Sequence, residues 1–392
     1  VDLASIQAAI RAQGFDGWLF YDFRNRDAMA YEILGLEFNK FTTRRWFYYI
    51  PAAEEPVKIV SAVEAGKLDS LPGSKIVYRG WSQLHATLKS LLPSGAKIAM
   101  NYSPYGNIPY VSTVDAGTVE LIRSFEVEVV SAANLIQQFE ALIDEEGYRS
   151  HLRAGEKVQR IKNEAFDLIK KSMIAGHNLT EYDVQQFIVR RFAEEGLTDD
   201  GEHPIVGVNE HPADPHFEPK PENTSIIKPG DTLLIDLWAR ENHPKAIYYD
   251  ITWCGFIGNN PPAEYVHIFE IVKRARNTAR DFIRRKFQQR QPCFGYEVDD
   301  ACRQVVEEAG YGEYFVHRTG HSIGHSVHGN GVNIDNLETK DDRQLVPGVC
   351  FSIEPGIYLP GKMAVRSEIN AFITPDYQVV VAGEEQESLI LL

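Results

Sequence analysis

Two aspartates stand inside apolar, strand-like runs: Asp236 in Leu233-Leu234-Ile235-Asp236-Leu237 and Asp250 in Tyr248-Tyr249-Asp250-Ile251-Thr252. A carboxylate in such a run is costly unless it is paired or metal-bound. Either one alone could be a hydrogen-bonded structural residue; two on consecutive strands with a short connection can converge on one point. Between His317 and His328, four imidazoles (His317, His321, His325 and His328) fall within twelve residues. Histidine is the commonest metal ligand and the proton carrier near neutral pH, although a lone one is more often a satisfied core or surface residue. Gly320 and Gly324 beside His321 allow close backbone approach to a ligand. A third group comprises Glu354, in Ser352-Ile353-Glu354-Pro355-Gly356, and Glu368, in Val365-Arg366-Ser367-Glu368-Ile369-Asn370. By the period of two, Glu354 shares a strand face with Ser352, and Glu368 with Arg366 and Asn370.

Two Asp, one His and two Glu form an oxygen-rich set. Such a set suits two hard or borderline divalent ions, Mn²⁺ first, with Co²⁺, Zn²⁺ or Fe²⁺ as alternatives. Four carboxylates offset the charge of two dications. Two metals about 3.5–4 Å apart can hold both the attacking and the leaving atoms of a hydrolysis.

The elements that must position these residues differ between the two halves of the chain. Gly17–Tyr21, Arg45–Ile50, Val57–Ser61, Lys75–Tyr78 and Lys97–Asn101 are rich in aromatic and β-branched residues and read as strands, with helices at Trp81–Leu92 and Ala116–Ser124. That alternation argues an α/β domain. From Ala133 to Gly196 the pattern is helical, and Thr180 with Asp183 forms a capping-box start. Beyond Pro204, strands are expected at Asp231–Ala239, Ala246–Ile257, Val349–Leu359 and Ala364–Thr374, with helices at Pro262–Phe287 and Glu297–Gly310, an α+β arrangement. Dense charge and few apolar residues near Ala154 and Gly155 mark a boundary there.

Composition narrows the function classes. At 392 residues the chain is long for one core and suits two domains. Forty basic against 55 acidic residues leave a formal charge of −15, which argues against nucleic-acid binding because phosphate neutralisation needs clustered Lys and Arg. The densest basic stretch, Lys273 to Arg290, carries Phe282, Ile283 and Phe287 and reads as the solvated face of a helix. Cys254, Cys293, Cys302 and Cys350 form no C-x-x-C pair and suit free thiols in a reducing compartment. Val1–Phe20 has no signal pattern, and no apolar run approaches the ~20 residues needed to span a bilayer. The expectation is a cytoplasmic protein without a membrane partner.

The stretches LLIDLWA, YYDIT, HRTGHSIGHSVHG, SIEPGIYLPGK and VRSEI stand in an order that resembles the creatinase/prolidase/aminopeptidase P/methionine aminopeptidase superfamily, over about residues 155 to 392. The resemblance implies an α+β fold: a C-terminal pita-bread metallopeptidase domain, 153–392, preceded by an α/β creatinase/prolidase-type N-terminal domain, 1–152. It implies that Asp236 binds one metal through both oxygens, that Asp250 and Glu368 bridge two metals, and that His321 and Glu354 complete the shell of the other metal as direct ligands. It also gives Glu354 a proton-shuttling role, His328 the tetrahedral intermediate, His216 (in DPHFEP) the substrate near the scissile bond, His317 the proline pocket, and Arg366 the bracing of the carboxylates. His325 and His211 match no functional position and read as structural or exposed. Homodimers are common in that family.

The implied reaction is hydrolysis of an Xaa-Pro bond. An Xaa-Pro dipeptidase is favoured over an Xaa-Pro aminopeptidase acting on longer proline-containing peptides. A dipeptidase must hold a free carboxylate, and Arg is the better clamp for one. Lys340 and Arg343, in the turn Thr339–Arg343, are one pair of candidates, and Arg44 or Arg45 across a dimer interface another; a solvated charged turn is the alternative for the first pair. The chain departs from the family pattern in several places. Asp236 and Asp250 are fourteen positions apart, with the extra residues in Arg240–Lys245, and Trp238 stands where a small residue is usual. Gly329-Asn330-Gly331 and Ile369-Asn370 replace common acids. A metal-free creatinase-like hydrolase or a non-catalytic binding module predicts missing ligands, and all five are present. Gly320-His321-Ser322-Ile323-Gly324 matches the G-x-S-x-G string, but that pattern makes a nucleophile elbow only between a strand and a helix.

Overall fold

A computed structural model describes residues 2–38 and 40–392, and contacts divide the chain into Val1–Ala141 and Leu142–Leu392.

The first unit contains helices α1 (Leu3–Ala12), α2 (Ala28–Leu34), α3 (Trp81–Leu91), α4 (Ala116–Arg123) and α5 (Ala133–Ile136). Its strands are β1 (Gly17–Asp22), β2 (Trp46–Pro51), β3 (Val57–Ser61), β4 (Ser74–Tyr78), β5 (Lys97–Met100) and β6 (Glu128–Ser131), in the order β4-β3-β2-β1-β5-β6. Strands β1 and β2 are buried along their whole length because alternate residues feed two cores. Trp18, Phe20, Trp46 and Tyr48 pack with Ile6, Ile10 and Met29 of α1 and α2, while Leu19, Tyr21, Phe47 and Tyr49 pack with Leu84, Leu88, Val119 and Ile122 of α3 and α4. A mixed sheet between helical layers follows.

The second unit contains helices α6 (Glu145–Ala175), α7 (Glu181–Glu194), α8 (Ala263–Gln288) and α9 (Gly295–Glu308). Its strands are β7 (Leu197–Thr198), β8 (Ile205–Val208), β9 (Thr232–Glu241), β10 (Tyr249–Phe256), β11 (Cys350–Ile353), β12 (Gly356–Leu359), β13 (Met363–Arg366), β14 (Ile369–Ile373), β15 (Val379–Ala382) and β16 (Ile390–Leu391). Position 152 lies inside α6. Ala154 and Gly155, which look like linker residues in sequence, are buried there, and a Cβ on Gly155 would come within 2.6 Å of the Tyr249 ring. Small residues at this point let the helix approach the sheet. Helix α7 opens on the Thr180–Asp183 capping box, with both reciprocal bonds present.

Two helical pairs sandwich the strands. On β9, Leu233, Ile235, Leu237 and Ala239 pack towards the α6–α7 core, and Leu234 packs towards the α8–α9 core. The even-numbered face, which carries Asp236 and Trp238, is therefore the one turned to α8, α9 and the strands from β11 onward. The basic stretch expected as a solvated face is only partly so: Arg274, Arg285 and Arg290 are exposed, whereas Lys273, Arg280, Arg284 and Lys286 are half-buried and Arg276 is buried. That residue is fully buried and donates to Ser367 Oγ at 2.8 Å and to the Gln386 carbonyl at 3.0 Å.

Each long strand expected near the C-terminus is broken. Val349–Leu359 divides into β11 and β12 at Glu354-Pro355, and Ala364–Thr374 into β13 and β14 at Ser367-Glu368. Pro355 has no N–H to give a ladder, and Glu354 N donates instead to the Thr319 carbonyl at 2.7 Å. The β11–β14 pair ends at Ile353 opposite Ile369, and the β12–β13 pair resumes at Gly356 opposite Arg366. The register is the same on both sides, so Glu354 and Glu368 face each other across the break.

Strand β10 is held on its outer side by Gln386, whose amide accepts from Cys254 N at 2.9 Å and donates to Cys254 O at 2.6 Å. Replacing Gln386 by Ala leaves two buried backbone groups unpaired. The expected cost is about 2–3 kcal/mol, read as a lowered urea midpoint with an unchanged m-value.

Candidate metal centre

Asp236 lies opposite Thr252, and Asp250 opposite Trp238, in the β9–β10 hairpin. The period of two puts all four side chains on one face. The broken hairpin brings Glu354 and Glu368 to that face, and Thr252 joins the two hairpins by donating to Glu368 Oε2 at 2.8 Å. The fifth member arrives on a loop: His321 Nε2 lies 3.2 Å from Glu354 Oε1 and 3.5 Å from Asp250 Oδ2. Ligand atoms of Asp250, His321 and Glu368 all fall within 4.8 Å of one another.

The His321 loop is anchored on both sides. Ser352 N donates to the His321 carbonyl at 2.9 Å, while Ser352 Oγ accepts from His321 N at 2.9 Å and donates to Glu354 Oε1 at 3.1 Å. Gly320 has no room for a side chain, since a Cβ would sit 2.0 Å from the Ser352 carbonyl oxygen. Asp299 of α9 accepts from Thr319 N at 3.0 Å and from Thr319 Oγ1 at 2.5 Å. His321 Nδ1 donates to the Ser322 carbonyl at 3.1 Å. That bond selects the tautomer whose Nε2 lone pair faces the carboxylates.

Three buried carboxylates and the half-buried Glu354 repel one another at this distance. Burial first, then neighbouring charge, raises Asp236, Asp250 and Glu368 above the ordinary carboxylate range, with Arg366 pulling against the shift in each case. Glu354 goes the other way: burial opposes its charge, but the His321 hydrogen bond and the His321 and His317 charges hold it far below. Burial also works against a charge on His321, and its bonds to Asp250 and Glu354 outweigh that and lift it to about 9. Arg366 is the permanent cation here. It pairs with Asp236, donates through Nε to Thr252 Oγ1 at 3.0 Å, and donates through Nη1 to Tyr358 OH at 3.0 Å.

Asp236 Oδ1, Asp250 Oδ1 and Glu368 Oε1 are buried and accept no hydrogen bond. Unpaired buried acceptors are rare because each forfeits its hydration. Three in one carboxylate cluster match a cation site, and the donor set of oxygens with one imidazole nitrogen fits divalent ions.

The remaining expected residues are dispersed around this cluster. The ring of His328, an exposed residue, lies edge-on to His321 with centroids 4.3 Å apart, and the His321 charge is the first cause pushing its pKa down. His216 is exposed and follows a 3₁₀ turn, His211–Ala213, that packs against β12 and β13. His211 is structural: its Nδ1 lies 2.8 Å from Glu181, a fully buried carboxylate that also takes Val208 N and Ser225 N. His317 is half-buried, and burial lowers it to about 4. Its Nδ1 donates to the Arg318 carbonyl at 2.6 Å, so its Nε2 accepts from Tyr358 OH at 2.6 Å. His325 is exposed, with Nδ1 3.3 Å from the Ala246 carbonyl. Trp238 is half-buried beside Asp250.

The carboxylate-clamp expectation for Arg343 is corrected. Arg343 is 1 % exposed and spends its guanidinium within the protein. Nε and Nη2 grip Asp341 at 2.9 and 2.6 Å, and Nη1 donates to the Asn330 carbonyl. Asp341 in turn accepts from Asn333 N, and Asn333 Oδ1 accepts from Ser322 N next to His321. The pair therefore fixes the loop that carries His321 and has no free donor for a substrate. Lys340 is exposed over the Tyr296 ring. Arg44 lies in the first unit and donates to Thr43. Residues Arg240–Lys245, expected as a loop, begin as strand, and Arg240 and Tyr248 both bind Asp200. Ser322 sits in a loop with no helix after it and accepts from Gly331 N at 3.1 Å, which is not an elbow geometry.

Thr252 and Tyr358 were not singled out in sequence. Thr252 lies two residues from Asp250 on the same strand face, and Tyr358 stands in the same relation to Gly356, the partner of Arg366. Asn370, a departure from the family pattern, has a definite task. Its side chain accepts from Asp250 N at 2.9 Å and donates to Asp250 O at 2.5 Å, which an acid could not do.

Residues 149–375 match metallopeptidase family M24. The chain is 30% identical over 262 residues to a probable dipeptidase PepE of Mycobacterium tuberculosis, a match spanning 67% of this chain and 64% of the relative. It is 29% identical over 189 residues to an Xaa-Pro dipeptidase of Lactobacillus helveticus, over 47% and 45% of the two chains. It thus spans under two thirds of the curated relatives it matches here. The solved structure of a prolidase from Thermococcus sibiricus aligns with a TM-score of 0.62 at 23% identity, covering 100% of this chain and 98% of that one, a likeness of fold through both units.

The Arg343 assignment has a direct consequence. Replacing Arg343 by Ala strands Asp341 as a buried unpaired charge and should cost about 3–5 kcal/mol of stability. Equilibrium unfolding measures it. A substrate clamp would instead leave stability intact and raise KM for substrates with a free carboxylate.

Proposed function

Because the chain belongs to metallopeptidase family M24, we propose that it is a dinuclear metal-dependent exopeptidase that hydrolyses the Xaa-Pro bond, acting as an Xaa-Pro dipeptidase. The observation that carries this reading is the set of three buried, unpaired carboxylate oxygens on Asp236, Asp250 and Glu368, converging with His321 and Glu354.

Asp236, Asp250, His321, Glu354 and Glu368 hold two divalent ions, Mn²⁺ first among them. When bound, such a pair lowers the pKa of water and polarises a carbonyl, which supplies a nucleophile near neutral pH. The protein's own residues do the rest. Arg366 holds Asp236 in place and is itself held by Thr252 and Tyr358. Glu354, an ionised carboxylate, takes a proton from the attacking water and passes it to the departing amine. His328 and His216, both exposed near the cluster, donate to the substrate at the scissile carbonyl. His317, neutral and locked between Arg318 and Tyr358, presents a ring edge to the proline. An Xaa-Pro bond is a tertiary amide with no N–H, so a site working by carbonyl polarisation and ring recognition suits it.

Two of the relatives, a probable dipeptidase and an Xaa-Pro dipeptidase, support the dipeptidase reading, while two others are putative Xaa-Pro aminopeptidases. With Arg343 engaged inside the protein, the candidates for the carboxylate clamp are the exposed Lys340 and, from a second subunit of a homodimer, Arg44 or Arg45. The four cysteines are all free and buried, which suits a reducing, cytoplasmic setting. Among the described residues no helix is long and apolar enough to cross a membrane.

Protein stripped with chelator and reloaded with Mn²⁺ should cleave Ala-Pro and leave Ala-Pro-Gly intact, with no activity before reloading. Cleavage of the tripeptide would shift the assignment to an aminopeptidase. Failure on both by the reloaded protein would rule out Xaa-Pro hydrolysis.

A further inference from the structure

Along β9 the carboxylate cluster has two flanks of different chemistry. On one side Asp236 leads through Arg366 and Tyr358 to His317, a run of ion pair and hydrogen bonds. On the other side stands Trp238. It lies directly opposite Asp250 in the ladder, and directly opposed residues have Cβ atoms about 4.5–5.5 Å apart. An indole at that distance must lie beside the cluster.

The Trp238 ring is half-buried and packs against both the α8–α9 core and a small cluster of Tyr248 with Ile323 and Val327 of the histidine loop. Its Nε1 donates to no acceptor, so packing alone holds the ring. The second unpaired indole, Trp253, is on the opposite face of β10 and is covered by the Lys162 ammonium 3.3 Å from its ring centroid. Of these two rings, Trp238 is the one on the carboxylate face.

We infer that Trp238 forms the wall of the subsite for the residue before proline and restricts that residue to small side chains. The inference rests on the Xaa-Pro reading, in which His317 lines the proline pocket and the opposite flank is left for Xaa. A bulky indole there occupies the volume that a large Xaa side chain needs. The ring packs against Tyr248, Ile323 and Val327, so it cannot move into the core without displacing packed neighbours. Hydrophobic walls discriminate by volume, at roughly 10–200-fold per methylene-sized misfit. The substrate class is therefore Ala-Pro or Gly-Pro rather than Phe-Pro or Leu-Pro.

The test is the ratio of kcat/KM for Phe-Pro to that for Ala-Pro in the Mn²⁺-loaded wild type, W238A and W238L. Wild type should favour Ala-Pro by about tenfold or more. W238A should raise the Phe-Pro to Ala-Pro ratio about tenfold, and W238L should fall between, with bound metal unchanged in all three. W238L retains part of the packing and decides the matter if W238A does not fold. Wild type that cleaves Phe-Pro as well as Ala-Pro, or variants whose ratio stays within about twofold of wild type, would overturn the inference and leave the Xaa-Pro reading standing. Wild type that cleaves neither would overturn that reading, and this inference with it.

Discussion

Mutual repulsion among Asp236, Asp250, Glu354 and Glu368 is the constraint around which the second unit is organised. Each carboxylate is covered by protein, and Arg366 and a protonated His321 supply two positive charges against four negative ones. Left so, the cluster would be relieved by taking up protons, which is the direction in which Asp236, Asp250 and Glu368 are pushed. Divalent cations relieve it more completely and free His321 to be neutral. A preformed array of this kind stores unfavourable electrostatics that proton uptake or a bound cation relieves, and everything that holds it must withstand that strain.

The restraint comes from backbone more than from side-chain packing. Glu354 and Glu368 face one another because a long hairpin breaks at both strands without losing register, and the break points their carboxylates where ladder partners would otherwise be. Asn370 grips both backbone groups of Asp250, Ser352 grips His321 N, and Arg276 reaches from α8 to Ser367 beside Glu368. The Arg343–Asp341 pair does the same for the loop after His321. Apart from the Arg276 guanidinium, these anchors are neutral amides, hydroxyls or a closed ion pair, which add little charge to a site already crowded with it. Specificity then falls to groups that do not hold the cluster, His317 on one flank and Trp238 on the other.

Much of this arrangement was legible in the sequence because its signals are violations of local rules. Carboxylates in apolar strands, and four histidines in one short stretch, stand out against any background. The broken hairpin was not legible, since Val349–Leu359 reads as one strand and the break depends on Thr319 and Thr252 accepting bonds from far along the chain. Arg343 misled because a charged turn and a buried ion pair look alike in sequence; the distinguishing partner, the Asn330 carbonyl, is set by tertiary structure. Ala154 and Gly155 misled in the same way, being small for close packing rather than for flexibility. Helix α2 and strands β6 and β8 went unremarked because each is short and its pattern covers few periods.

The central claim is that the buried carboxylates form a two-cation site, and counting bound ions tests it most directly. Chelator-stripped protein dialysed against Mn²⁺ should retain two ions per chain, and Glu368→Gln should retain fewer with a similar far-ultraviolet circular dichroism spectrum. Stripped wild type that holds no divalent ion, and melts at the same temperature with and without Mn²⁺, would contradict the account.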